Sequence, residues 1–137
     1  MADTIRRCDY YYVTVEDRAG EGARVLGKLK EAGVNLLAFN AFPAGGGKAQ
    51  LTLVPEKPEA LASAARGAGF ALSPKKECIV VQGSDRVGAV QDILKKLAEA
   101  RVSCVGSNAV AAPGGSFGMA LFVKPADLAA ACKALGI

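Results

Sequence analysis

The sequence predicts an α+β protein made of two successive strand-helix-strand-strand-helix-strand units. Each would be a split βαβ sandwich, an antiparallel sheet with two helices on one face. Three observations predict it. The chain repeats itself at an offset of 68 positions, which carries Asp17 onto Asp85, Arg18 onto Arg86, Gly20 onto Gly88, Leu26 onto Leu94, Leu29 onto Leu97 and Asn40 onto Asn108. Within each copy the apolar period switches between the alternation of a strand and the spacing of a helix face. Gly and Pro fall at the switches.

In the first copy, Met1 to Cys8 is polar and reads as a loose arm, with Ile5 able to extend the strand that follows. Asp9 to Val15 alternates, with Tyr11, Val13 and Val15 on one face and Tyr10, Tyr12 and Thr14 on the other. After Gly20 the residues Val25, Leu26, Leu29 and Ala32 recur at helical spacing, and Gly33 is a suitable stop. Val34 to Phe42 is apolar at odd and even positions alike, so this strand is expected to be covered on both sides. Pro43 to Gly47 makes a turn into a third strand marked by Ala49, Leu51 and Leu53. Pro58 opens a second helix through Leu61 and Ala65, ended by Gly67 or Gly69. Phe70 to Ser73 is expected to be a short fourth strand, and the sheet face away from the helices is expected to be bare.

The second copy repeats the order. A strand at Cys78–Gly83, a helix through Ile93, Leu94 and Leu97, a strand over Val102–Ala112, a turn at Pro113-Gly114-Gly115, a strand through Phe117 to Val123, and a helix opened by Pro125 follow in turn. With a shift of one residue Gly69-Phe70 aligns with Gly136-Ile137, so the last strand of the second unit is expected to be truncated. The expected division is 1–74 and 75–137. Units of about 65 to 70 residues lie near the lower limit for a self-sufficient core.

Composition narrows the function. With 51% hydrophobic and 22% charged residues, the 137-residue chain is globular, and its apolar runs break well before the length of a membrane span. No signal-peptide core follows the first residues, so a cytoplasmic protein is expected. The net charge of +4 invites a nucleic-acid reading, but the Lys and Arg residues do not cluster into a phosphate track. Cys8, Cys78, Cys104 and Cys132 form no C-x-x-C pair, and the chain has no histidine. His-dependent triads are thereby excluded, and no metal site, cofactor or catalytic constellation is expected.

The chemistry concentrates in the loops that join the first strand of each copy to its helix. Glycine at 20 and 88 allows a sharp turn and lets a ligand approach the first N–H groups of the helix, where a carboxylate is favoured. Asp17 and the Asn35 carbonyl, or Asp85 and Ser103, are candidate acceptors for an ammonium group. The alternative is that Asp17 and Asp85 cap the helices. Arg18 and Arg86 either steer an anion or form exposed salt bridges, with Glu16 or Glu21 as partners of the first. The runs Gly45-Gly46-Gly47 and Gly114-Gly115 join strands, and are hairpin turns and not phosphate loops.

Asp17-Arg18-Ala19-Gly20, the helix through Val25-Leu26-Gly27-Lys28-Leu29, and Ala32-Gly33-Val34-Asn35 together resemble the ACT-domain family, small regulatory modules that bind amino acids or related metabolites. Asp85-Arg86-Val87-Gly88, the Leu94-Leu97 helix and Val102-Ser103 carry the resemblance in the second copy. Ala19 and Val87 stand where the family usually has proline, and Arg101 and Ser103 where glycine and asparagine are common. A loop histidine of the serine-sensing members is matched here by Val15, so serine specificity is not implied. The resemblance implies tandem ferredoxin-like folds and a ligand set of Asp17, Arg18, Ala19, Gly20, Glu21, Asn35 and Leu36 in the first copy. In the second it implies Asp85, Arg86, Val87, Gly88 and Ser103. A homodimer is expected, with ligand held between the loop of one unit and the second strand of a neighbour. Output would pass to a separate enzyme or regulator. Two competing readings are a structural subunit of a biosynthetic enzyme that binds no ligand, and an RRM-like RNA-binding module. The RNA reading lacks aromatic residues on the third strand, Lys48 to Val54.

Overall fold

A computed structural model describes residues 3–137. Its elements run β1 (Thr4–Glu16), α1 (Glu21–Glu31), β2 (Leu36–Gly45), β3 (Lys48–Pro55), α2 (Pro58–Ala68), β4 (Lys76–Ser84), α3 (Ala89–Glu99), β5 (Cys104–Ala112), β6 (Ser116–Val123), a 3-10 turn (Pro125–Asp127) and α4 (Leu128–Ala134). The chain divides into two compact units, Asp9–Lys76 and a second made of Glu77–Ile137 together with the N-terminal residues through Cys8. The expected division at 74/75 is thus displaced by two residues, and the N-terminal segment goes with the other unit. None of the helices among the described residues is long and apolar enough to cross a membrane.

In the first unit β3 lies between β2 and β1. Both pairings are antiparallel, with Leu53 opposite Tyr11 and Phe39, and Leu51 opposite Val13 and Ala41. Alternation puts Val13, Val15, Leu51 and Leu53 on the helix side, where they close a core with Val25 and Leu29 of α1 and Leu61 of α2. The fourth strand expected at Phe70–Ser73 does not form. Ser73 N–H donates to the Tyr12 carbonyl at 2.9 Å, but the return bond from Tyr12 N–H goes to Ser73 Oγ at 3.0 Å. Pro74 has no N–H to extend a ladder, so pairing stops there.

In the second unit β6 lies between β5 and β4, with Leu121 opposite Ile79 and Ser107, and Met119 opposite Val81 and Ala109. Ile79, Val81, Met119 and Leu121 pack with Ile93 and Leu97 of α3 and Leu128 and Ala131 of α4. The other neighbour of β4 is β1, whose residues in this unit are Thr4–Cys8. Arg7 pairs with Glu77 at 2.6 Å, Arg6 Nη2 donates to Gln82 Oε1 at 3.1 Å, and Ile5 packs against the core. The expectation of a loose arm is therefore corrected from Asp3 onward; Met1 and Ala2 lie outside the described residues. Where a truncated last strand was expected beside β4, Thr4–Cys8 supplies the pairing.

Two further expectations change. The strand covered on both sides is not β2, which is an outer strand with Phe39 42% and Phe42 49% exposed. Burial on both faces falls instead on the inner strands, because the side chains of Thr52 and Val54 in β3 and of Cys78, Val80 and Ala120 in β4 and β6 are buried although they point away from the helices. That face is therefore not bare.

The two first helices end alike. Val34 N–H reaches back to the Leu29 carbonyl and Val102 N–H to the Leu97 carbonyl, both at 2.9 Å. The residue before each has a left-handed backbone, Gly33 at φ 74° and Arg101 at φ 61°. Arg101 is the one non-glycine residue in that region among those described. Arg101→Gly is expected to stabilise the second unit by about 1 kcal/mol, because the side chain is strained there. Urea denaturation checks it, and a destabilised variant would contradict it.

Candidate ligand clefts

The strand-to-helix loops take the same form in both units. Asp17 N–H donates to the Gly47 carbonyl and Asp85 N–H to the Gly115 carbonyl, each at 2.9 Å, which ties each loop to the hairpin turn beside it. Gly20 and Gly88 then precede the helices at φ 93° and 85°, a conformation that excludes a side chain at little strain. Their carbonyls accept the first intrahelical bonds, from Arg24 N–H at 2.9 Å and from Asp92 N–H at 3.0 Å. No side chain caps either helix, so capping does not account for Asp17 or Asp85. The N–H of Glu21 donates to the Arg18 carbonyl at 3.4 Å and that of Ala89 to the Arg86 carbonyl at 3.1 Å; the next two N–H groups of each helix have no intrahelical acceptor.

A cleft of about 230 Å³ opens at the first loop, lined by Asp17, Arg18, Glu21 and Gly22 on one side and Ala41, Phe42 and Pro43 on the other. Its counterpart of about 280 Å³ is lined by Asp85, Arg86, Gly88, Ala89, Val90 and Gln91 against Ala109, Val110 and Ala111. Pockets for drug-sized ligands run from about 300 to 1,000 Å³, so only a small metabolite fits either.

These clefts unite part of the expected set. Asp17, Arg18 and Glu21, and Asp85, Arg86 and Gly88, line them; Ala19, Gly20 and Val87 do not, and Val87 projects fully into solvent. Asn35, Leu36 and Ser103 are not brought to the loops of their own units. The reason is topological. β1 and β2 both run antiparallel to β3 and so parallel to each other, which puts the end of β2 beside the loop and its start at the far end of the sheet. There Asn35 donates to Glu56 Oε2 at 2.8 Å and accepts from Glu56 N–H at 3.0 Å. Sequence reasoning missed Phe42, Pro43 and Val110 for the same reason, although the hairpin register of β2 and β3 contained the signal.

The arginines pair with carboxylates in the first turn of the helix that each loop leads into. Arg18 and Arg24 both reach Glu21, with closest contacts of 2.8 Å, and Arg24 also lies over the Phe70 ring at 5.8 Å. Arg86 pairs with Asp92 at 2.7 Å. Hydrogen bonds from Arg24 and then Arg18 hold the Glu21 carboxyl below the usual glutamate range, against the opposing effect of burial. A depressed folded-state value means that Glu21 adds stability above its unfolded-state pKa and loses that contribution as pH falls through the lower folded-state value. Glu21→Gln is therefore expected to flatten this acid limb of the stability–pH profile, measured by thermal melts across the acidic range. A variant profile parallel to the parent would contradict the assignment.

The class is an α+β fold, with six strands and four α-helices among the described residues and a cleft at the strand-to-helix loop of each unit. No family model matches the sequence, and no curated protein matches it. Among solved structures, a protein of Bacteroides thetaiotaomicron superposes with a TM-score of 0.80 at 15% identity, covering 96% of this chain and 88% of that one. The ligand-free regulatory subunit of aspartate kinase from Thermus thermophilus gives 0.65 at 14% identity, covering 97% and 93%. The corresponding subunit from Thermus flavus gives 0.60 at 14%, covering 98% and 93%. At such identities the likeness establishes a shared fold.

Proposed function

We propose that the chain is a cytoplasmic, non-catalytic regulatory protein of ACT-domain type, two tandem ferredoxin-like units that bind an amino acid or a related small metabolite and act on a separate enzyme. The observation that carries the reading is the repeated cleft, a small cavity at a glycine turn lined in the second unit by Asp85, Arg86 and the first residues of α3. An α-amino acid has the matching groups, a carboxylate for the N–H groups and an ammonium for the aspartate. Likeness to the regulatory subunits of aspartate kinase supports the regulatory role.

The remaining residues of the expected set enter through a second copy of the chain. β2 and β5 are outer strands of their units, and neither contains a charged residue. Uncharged edges favour strand pairing, and Val105 and Val110 stand 60% and 71% exposed on β5. Antiparallel pairing of β5 with itself would bring the start of the partner's β5, which Ser103 precedes, towards the end of β5 at the mouth of the cleft. Self-pairing of β2 would do the same for Asn35 and Leu36 of the partner subunit. A ligand at such a joint couples binding to assembly.

A thermal-shift screen against single amino acids and a short RNA tests the reading. One amino acid at about 100 times its dissociation constant is expected to add roughly 2.7 kcal/mol of stability. A shift with RNA alone would overturn the reading, and no shift at all would favour the ligand-free structural subunit. In sedimentation, Val110→Lys is expected to convert a dimeric parent to monomer; a parent already monomeric would remove the partner residues from the site.

A further inference from the structure

The two clefts differ at one position that decides what can enter them. The offset of 68 carries Glu21 onto Ala89 and Arg24 onto Asp92. Glu21 and Ala89 are each the first residue of their helix, each buried, at 8% and 6% exposure, and each in the wall of its cleft. In the first unit a carboxylate thus already stands at the helix start, and both Arg18 and Arg24 are spent on it. In the second unit the helix's first-turn carboxylate is Asp92, a full turn further along at the exposed position, and it draws Arg86 into a pair in which both side chains are about half exposed. An exposed pair of this kind is weak, and its arginine can turn to a ligand.

We propose that Glu21 occupies in the first cleft the place that a ligand's carboxylate takes in the second, so that Glu21 is the specificity-determining residue and only the Asp85–Gln91 cleft binds a zwitterionic amino acid. This rests on the amino-acid reading above. A carboxylate entering the first cleft meets a like charge fixed by two arginines, and finds the lining cation, Arg18, paired with a Glu21 side chain only 10% exposed, against 51% for the Asp92 partner of Arg86. One entering the second meets the Ala89 side chain, the N–H groups of Val90 and Gln91, which lack an intrahelical acceptor, and a releasable Arg86. The duplication has therefore divided the sites: the Asp17 loop keeps the shape and fills it internally, and the Asp85 loop keeps the vacancy.

Calorimetric titration of the full chain with each of the twenty common amino acids, singly, tests this. The parent is expected to bind one amino acid with one site per chain. Glu21→Ala and Glu21→Gln are each expected to add a second site, and Ala89→Glu to weaken binding at least tenfold. Two equivalent sites in the parent would overturn the proposal, as would one site left unchanged by both Glu21 variants. Should Ala89→Glu not fold, the Glu21→Gln titration decides alone. Absence of heat from all twenty would instead remove the amino-acid reading itself, and this inference with it.

Discussion

Leu29→Ala and Leu97→Ala are each expected to cost about 2–5 kcal/mol, and the two losses are expected to be similar. The residues are related by the repeat, sit on the inner faces of α1 and α3, and are 2% and 1% exposed. Each packs into the core of its own unit, Leu29 with Val13, Leu51 and Leu53 and Leu97 with Ile79, Val81 and Leu121. Alanine would leave a void of several carbon atoms that a close-packed sheet-and-helix layer relaxes only in part. Urea denaturation gives the size of each loss. Hydrogen exchange gives its location: amides of β1 and β3 are expected to lose protection in the first variant, and those of β4 and β6 in the second. Equal loss in both units from either substitution would mean that the cores are not separate.

Deleting residues 1–8 is expected to destabilise the second unit by roughly 3 kcal/mol or more, from several ladder bonds worth about 1 kcal/mol each and the burial of Ile5. The segment is the neighbour of β4 opposite β6, and its removal exposes the edge of a strand whose Cys78, Ile79, Val80 and Val81 are all buried. The Arg7–Glu77 pair and the Arg6–Gln82 bond go with it. Ile5→Asp should reproduce much of the effect without shortening the chain, since it sets a charge against the apolar core. Hydrogen exchange at Lys76–Ser84 reads the result. Unchanged protection there in both variants would show that Thr4–Cys8 is dispensable to β4.

The order of elements was legible because each switch in apolar period in the first unit coincides with a glycine or proline. Gly20, Gly33 and Gly69 bound the helices of the first unit, and all three have the left-handed backbone that their positions demand. The repeat then transfers the reading to the second unit, including Arg101, whose strained backbone shows that its place in the fold outweighs its residue type. Pairing partners were less legible. Nothing local in Thr4–Cys8 tells that it lies beside a strand more than seventy residues away, because alternation specifies a face and not a neighbour. The same gap separated the site from its second wall. Asp17 and Asp85 were found from loop chemistry, whereas Phe42 and Val110 follow only from the direction in which β2 and β5 run. Glu21 was visible as a partner for Arg18 and as a member of the implied ligand set, but that Arg24 also holds it against the cleft wall depends on how α1 packs.

The proposed site places a small zwitterion at the start of α3. The most direct test is a two-dimensional amide NMR titration of the full chain with the amino acid that most raises its melting temperature. The amides of Gly88, Ala89, Val90 and Gln91 are expected to move with added ligand, and those of Gly20 to Ala23 to stay in place. Spectra that do not change, or changes confined to residues outside the start of α3, those of the Gly20 loop included, would contradict it.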